Sequence, residues 1–331
     1  IRNDLEPFIY GIIKNDIEEV YLAQWVDKIN SHNHFDRRIL IFSDSGFGLC
    51  REKTFSKIPE MTKFFSWFNL RSVELNEKLF RFYFQENDQE RVISFSFDQT
   101  NELLDVLCQH LANILIPSEY PKILCGSNLS IENYVPIPIV SGINRLKVLA
   151  IEIDDKEAIK SLLETYSNIL NSGMTKLNLG LFGESRFIGY ILDSLNVVPH
   201  ITSIVFPLAK NSSAHWKEFC DLIKNARYIK EIYTHETITQ DFYQMESIAI
   251  NGNPSSVKSI GFGNSNISNK EMISIANLYK NCAIEEIKFI QTKYAMPPFK
   301  LNFNTFTNNT NLKSVTLDKI LNINILSTLR F

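Results

Sequence analysis

Ile229-Lys230-Glu231-Ile232-Tyr233-Thr234 is followed 28 residues later by Val257-Lys258-Ser259-Ile260-Gly261-Phe262, and 27 after that by Ile284-Glu285-Glu286-Ile287-Lys288-Phe289. Each hexamer puts apolar residues first and fourth, an apolar residue or Thr sixth, and polar or small residues between. The pattern extends to both sides, as Leu146/Leu149/Ile151, Met174/Leu177/Leu179, Ile201/Ile204/Phe206 and Leu312/Val315/Leu317. Successive starts at 146, 174, 201, 229, 257, 284 and 312 step by 28, 27, 28, 28, 27 and 28. One such hexamer means nothing, but seven in near-constant register are a self-similarity of the length that marks stacked repeats. Each hexamer predicts a short strand whose last two apolar positions point inward. The rest of the period suffices to turn and return as a helix.

Helix-start signals fall in the returning segments. Asp154-x-x-Glu157, Thr237-x-x-Gln240 and Ser268-x-x-Glu271 have the capping-box spacing. Apolar residues follow at helical intervals, as in Ile159, Leu162, Leu163 and Tyr166, or Met272, Ala276 and Tyr279. Phe187, Ile191 and Leu195 form the same stripe, as do Trp216, Phe219 and Ile223, and Pro298 suits a first helical turn ahead of Phe299, Phe303 and Phe306. A full helix in each period of about 28 resembles the ribonuclease-inhibitor type of leucine-rich repeat, with less Leu and no regular Asn after the strand. The expectation is an α/β leucine-rich-repeat solenoid over 144–331 with seven strands, behind a linker and N-terminal cap at 118–143. Because stacked repeats need polar caps and only Asp318 to Phe331 follows the last hexamer, the solenoid is expected to be truncated at its C-terminus.

Residues 1–117 change period. Val20 to Lys28, Arg37 to Phe42, Phe47 to Arg51, Asn69 to Leu75, Leu79 to Gln85 and Arg91 to Phe97 read as strands. The last two bracket a polar turn at Glu86 to Glu90, a hairpin. Thr100 then opens a helix carrying Leu103, Leu104, Leu107, Leu111, Ile114 and Leu115, stopped by Pro117. Antiparallel strands closed by one amphipathic helix predict a pleckstrin-homology-like β-barrel.

Phe35-Asp36-Arg37-Arg38-Ile39-Leu40-Ile41-Phe42-Ser43, then Phe47-Gly48-Leu49-Cys50, resembles the second and third barrel strands of the CARMIL family. So does the order of the chain: leading helix, barrel, linker, then 28-residue repeats. That resemblance implies a non-enzymatic cytoskeletal scaffold or regulator in the cytoplasm or at the cell cortex, with actin-regulatory protein partners. The family's segment for actin capping protein lies beyond the repeats and has no counterpart in these residues. Its barrel meets acidic lipid through a basic first hairpin, whereas the stretch Asp27 to Asp36 is nearly neutral here. Residues 1–117 hold 13 Lys and Arg against 18 Asp and Glu, a balance of −5. Lys28, Arg37 and Arg38 are the candidate anionic-lipid contacts, and so few cations predict weak or no phosphoinositide binding. Two other readings carry the same repeats: a GTPase-activating or GTPase-binding protein of the Ran-regulator type, with a small GTPase as partner, and a static component of a cytoskeletal assembly.

Composition excludes several classes. Over the whole chain 34 Lys and Arg stand against 37 Asp and Glu, so no basic field exists to hold nucleic acid. Cys50, Cys108, Cys125, Cys220 and Cys282 are odd in number and lack a CxxC pair, which speaks against a disulfide framework or a zinc site. Sequons at Asn128, Asn211, Asn266 and Asn308 are read as chance in an Asn-rich chain. His32 and His34 have no partner ligands, and His110, His200 and His215 have no nucleophile at workable spacing. Gly261-x-Gly263 lacks the third glycine of a dinucleotide loop. No catalytic residue, metal or cofactor is expected. The functional expectation rests on the third, fifth and seventh residues of each hexamer frame, which project from the concave face of a solenoid. These include Lys176, Asn178, Val205, Glu231, Tyr233, His235, Glu286, Lys288 and Ile290, with Tyr233 and His235 as interface anchors.

Overall fold

A computed structural model describes residues 5, 19–30, 34–53, 56–126, 130–150, 153, 155–182, 185–206, 222, 226–235, 256–263, 266–267, 284–290, 293–294 and 313–318. The chain divides into two compact units, Ile1–Tyr166 and Ser167–Phe331.

In the first unit seven strands run antiparallel: β1 (Val20–Ile29), β2 (Phe35–Ser43), β3 (Gly46–Lys53), β4 (Ser56–Ser66), β5 (Leu70–Asn76), β6 (Leu79–Glu86) and β7 (Gln89–Ser96). Their order, β4-β3-β2-β1-β7-β6-β5, is two meanders joined where β1 pairs with β7. The helix α1 (Thr100–Ala112) follows. This is a pleckstrin-homology-like domain, read from strand order and helix position. The hairpin between β6 and β7 turns on Asn87 and Asp88, whose φ angles of 46° and 62° suit a two-residue turn that matches the strand twist. The interior stacks phenylalanines from β3, β6 and β7, with Phe47 and Phe82 ring centroids 5.2 Å apart. Leu103, Leu104, Leu107 and Leu111 of α1 close that core, all buried.

The strand β4 was not anticipated. Its 11 residues include Pro59 and run Lys, Glu, Thr, Lys between apolar positions, which obscures period two. It forms one edge of the sheet, where a proline does not interrupt a shared ladder. At the opposite edge a short strand, β8 (Lys122–Leu124), pairs parallel with β5.

Past the barrel, the expected first repeat strand is absent. Leu146 and Leu149 lie in a helix, α2 (Pro138–Ala150), which carries Leu146, Val148 and Ala150 as buried positions. An apolar spacing of three fits a helix face as well as it fits the hexamer, and here three polar contacts hold the helix. The Arg145 guanidinium donates to Glu119 at 2.7 and 3.0 Å and to the Ile114 carbonyl at 2.9 Å. Asn144 donates to the Tyr21 hydroxyl at 3.0 Å. Lys147 reaches the buried Asp44 carboxylate at 3.2 Å. The first compact unit thus continues through the expected linker. The next helix, α3 (Lys156–Asn171), follows Asp155, whose carboxylate accepts from the Ala158 amide at 3.1 Å; the Asp154 of the capping-box spacing lies outside the described residues.

In the second unit six strands form one parallel sheet: β9 (Lys176–Asn178), β10 (Ser203–Phe206), β11 (Glu231–His235), β12 (Ser259–Gly263), β14 (Glu286–Ile290) and β16 (Ser314–Asp318). Between them lie two short strands that pair with each other, β13 (Asn266–Ile267) and β15 (Lys293–Tyr294). Leu177, Ile204, Ile232, Ile260, Ile287 and Val315 stand side by side across the six-stranded sheet, the first five fully buried. Phe206, Thr234, Phe262 and Phe289 form a second inward row, with Phe262 and Phe289 stacked at 5.7 Å. The residue before each strand repeats one hydrogen-bond pattern: the Thr175, Thr202, Lys230, Lys258 and Glu285 carbonyls each accept two successive amides of the next strand. What the described residues form is a stepped parallel sheet of six strands rather than a complete solenoid of seven repeats. Of the returning helices, α4 (Ile188–Ser194), between β9 and β10, is among them, and its stripe of Phe187, Ile191 and Leu195 is buried. The helices expected after Thr237, Ser268 and Pro298, and the stripe at Trp216, lie outside the described residues, as does the leading helix.

Candidate functional site

Strands in one register bring one residue of each hexamer into a row across the sheet, because neighbouring strands lie about 4.8 Å apart. The first outward row is Lys176, Ser203, Glu231, Ser259, Glu286 and Ser314. The second is Asn178, Val205, Tyr233, Gly261, Lys288 and Thr316. His235 and Ile290 fall in a third, with Gly263 between them.

Lys288 is the centre of the cluster. Its ammonium group is 2.9 Å from Glu286 and 3.6 Å from Glu231, and 3.4 Å from the Tyr233 hydroxyl. Ser259 donates to Glu286 at 3.1 Å. Burial works against the charge of both partners. The hydrogen bond and charge of Lys288 still hold Glu286 below the usual carboxylate range, and Glu286 and Tyr233 still hold Lys288 above its ordinary value. Both remain ionised at neutral pH.

Tyr233 is not the free anchor expected of it. It is half-buried and lies against Gly261 of the next strand, where an added Cβ would stand 2.5 Å from the ring carbon Cδ1. The Lys176 ammonium sits 4.3 Å from the ring centroid and Lys288 5.8 Å, distances at which a cation is drawn to an aromatic ring. The structure therefore brings together Lys176, Glu231, Tyr233, Glu286 and Lys288. Asn178 is exposed at the edge of the sheet, and Val205 is buried. Sequence reasoning weighed Gly261 only as part of a dinucleotide loop and missed its contact with Tyr233, for which the signal was a glycine at the hexamer position that holds Tyr in the repeat before.

On the barrel, Lys28, Arg37 and Arg38 do not converge. Lys28 lies opposite Asp36 in the ladder, and Arg37 lies opposite Asp27. Successive side chains on a strand take opposite faces, so Arg37 parts from Arg38. Arg37 places its guanidinium 4.5 Å from the Trp25 ring centroid. Arg38 is buried and bonded to the Asp36 carboxylate. Burial lowers the pKa of Lys28, and the positive charges of Lys63 and Arg38 lower it further. The third cation at that corner is thus Lys63, carried on the unforeseen strand β4.

A buried polar cluster holds α1 and α2 to the β2–β3 turn. Asp44 accepts from the Glu19 amide at 2.9 Å, from the Tyr21 hydroxyl and from Lys147. His110 packs beside Tyr21 and Trp67 at ring-centroid distances of 4.2 and 5.5 Å. His34 is exposed, and His32 and His215 lie outside the described residues. Among the described residues no group of three His, Cys, Asp or Glu side chains could hold a metal ion. No described helix is long and apolar enough to cross a membrane.

No protein-family model and no curated protein sequence matches this chain. Among solved structures, the DH/PH domains of p115-RhoGEF align at 9% identity and a TM-score of 0.25, over 30% of this chain and 32% of that one. A structure of the Vav1 exchange factor, described by a critical structural role for its PH and C1 domains, aligns at 11% and 0.27, over 34% and 32%. The hSac2 domain of the human phosphoinositide phosphatase Sac2 aligns at 10% and 0.28, over 40% and 91%. The chain thus spans about a third of the length of the two exchange-factor structures.

Proposed function

We propose that this chain is a non-enzymatic cytoskeletal scaffold of the CARMIL type, whose parallel sheet belongs to a leucine-rich-repeat solenoid that binds a protein partner. One observation carries the reading. The outward rows of a single-register sheet gather Lys176, Glu231, Tyr233, Glu286 and Lys288 on one face. A half-buried aromatic ringed by charges of both signs has the composition of an interface centre, where Tyr and charged anchors dominate binding energy. The constant step of 27 or 28 residues between ladder partners, such as Ile232 to Ile260 and Ile260 to Ile287, is what a leucine-rich repeat of this period requires. The motif at Phe35 to Cys50, ahead of the repeats, favours the CARMIL type over a repeat crescent that acts alone.

The test is affinity for a partner recovered by stoichiometric pull-down. Tyr233→Ala combined with Lys288→Glu should weaken binding by about thirty-fold, since truncating a central anchor costs about 2 kcal/mol or more. Gly261→Ala should weaken it too, because the new methyl group displaces the Tyr233 ring. Affinity within a factor of about two of wild type in both variants, with the fold intact, would remove this face from the interface.

A further inference from the structure

Where β1 and β7 part, the barrel opens into a cleft of about 660 Å³. The ladder between the two strands pairs Ile29 with Ser94, Lys28 with Phe95 and Asp27 with Ser96, and ends there. In continued register Asp98 would oppose Trp25. Instead β7 stops at Ser96 and the chain enters α1 at Thr100. Antiparallel partners alternate between hydrogen-bonded and non-hydrogen-bonded pairs. The Asn30 amide donates to the His34 carbonyl at 3.1 Å, which makes Asp27–Arg37 and Trp25–Ile39 pairs of the second kind. The main-chain amide and carbonyl of Trp25 therefore point away from β2, to the side that β7 has left.

Two residues lining the cleft carry opposite charges that do not meet. Asp27 and Arg37 are ladder partners, in the class of pair whose Cα atoms stand closest, about 4.5 Å apart. Both are exposed, and among the described residues neither makes an ion pair. Arg37 has turned instead to Trp25, with its guanidinium 4.5 Å from the ring centroid. Trp25 lies two residues from Asp27 on the same face, about 7 Å along the strand, so the ring draws the cation away from the carboxylate. An aromatic face attracts a guanidinium without using up its N–H donors. Asp98, also at the cleft, is already paired with Lys78 at 2.7 Å. The remaining lining is neutral, with the amides of Gln24 and Gln99 and the apolar Phe97.

We propose that this cleft binds a small zwitterion with the chemistry of an α-amino acid, its ammonium on Asp27, its carboxylate on Arg37 and its side chain against Phe97. A guanidinium takes a carboxylate with two parallel hydrogen bonds, which a single aromatic contact leaves available. A ligand with only an anion would bring it close to Asp27, and one with only a cation would bring it close to Arg37. Opposite charges held one carbon apart satisfy both groups, with hydrogen bonds of about 2.9 Å at each end. The Trp25 main chain adds a donor and an acceptor beside them. The volume lies in the range of small-molecule pockets, roughly 300–1,000 Å³. Trp25, Asp27 and Arg37 share the face of Ile39 and Ile41, whereas Lys28 and Arg38 alternate to the other side. The site is thus separate from the barrel's candidate lipid contacts at Lys28 and Arg38.

The experiment is calorimetric titration of the full chain with three probes: L-leucine, L-leucinamide, which lacks the anion, and N-acetyl-L-leucine, which lacks the cation. Leucine should bind saturably and at least tenfold more tightly than either derivative. Asp27→Asn should abolish the advantage of leucine over N-acetyl-leucine, and Arg37→Gln its advantage over leucinamide. Both side chains are exposed, so both variants should melt as wild type does. Absence of saturable heat with leucine up to its solubility would overturn the proposal. N-acetyl-leucine binding as tightly as leucine would make the cleft an anion site instead, and leucinamide doing so would make it a cation site. Leucine affinity within a factor of about two of wild type in both variants would place the ligand elsewhere.

Discussion

His110 gives the structure a specific vulnerability to acid. The ring is 5% exposed, its Nε2 is buried without a hydrogen-bond partner, and Tyr21 and Trp67 flank it. Charging it would place a cation in a site cut off from water, between the Tyr21 and Trp67 rings. Burial therefore lowers its pKa from 6.5 to about 4, although the Asp44 carboxylate and the backbone carbonyls of Ser43 and Asp44 favour the charged form. Lys147 also faces Asp44 and is held by it. A histidine depressed in the folded state takes up its proton more readily when unfolded. Its contribution is therefore complete above about pH 6.5 and is lost as pH falls toward 4. At about 1.4 kcal/mol for each unit, the loss across that window is about 3 kcal/mol. Carboxylates titrate in the same range, so the diagnostic quantity is a difference between proteins. Urea unfolding of the full chain, followed by tryptophan emission at pH 7, 6, 5 and 4.5, should show wild type losing more stability than His110→Gln, with most of the 3 kcal/mol separating their slopes by pH 4.5. Parallel slopes for the two proteins would refute the reasoning, whatever their stabilities at pH 7.

Two further outcomes follow from the geometry. Leu177→Asp places a carboxylate at a fully buried inward position beside Ile204, and should cost several kcal/mol and melt the strands paired with it together. An unchanged melt by circular dichroism would remove residue 177 from the sheet core. Vesicles carrying phosphoinositide should sediment little of the full chain at physiological salt, because Arg38 is committed to Asp36 and Arg37 lies on the other face. Strong, salt-sensitive co-sedimentation would show that Lys28 and Lys63 suffice without them.

The period of the hexamers was legible without any structure, because each inward position must repeat once per strand for a continuous core. Ile204, Ile232, Ile260 and Ile287 stand where counting put them. The barrel was legible for the same reason: β6 and β7 alternate visibly, and the leucines of α1 recur at helical spacing. Local pattern failed where two structures share a pattern. Leu146 and Leu149 satisfy both the hexamer and a helix face, and the choice fell to Asn144, Arg145 and Lys147, which find Tyr21, Glu119 and Asp44. The strand β4 escaped notice because an edge strand need not be apolar on either face.

The candidate site divides in the same way. The sequence by itself determined which residues project outward from the sheet, since period two and a fixed repeat length leave no freedom there. Which of them touch was decided by the tertiary structure, because contact depends on the lateral register of strands 27 or 28 residues apart. It laid Tyr233 on Gly261, set Lys288 between two glutamates and separated Arg37 from Arg38. The sequence also carried a sign of the second apolar face of β2, the unbroken run Ile39-Leu40-Ile41-Phe42. That Leu5 packs in one cluster with Ile39 and Ile41 on that face came only from the folded chain, since a strand pattern says that a face is buried and never by what.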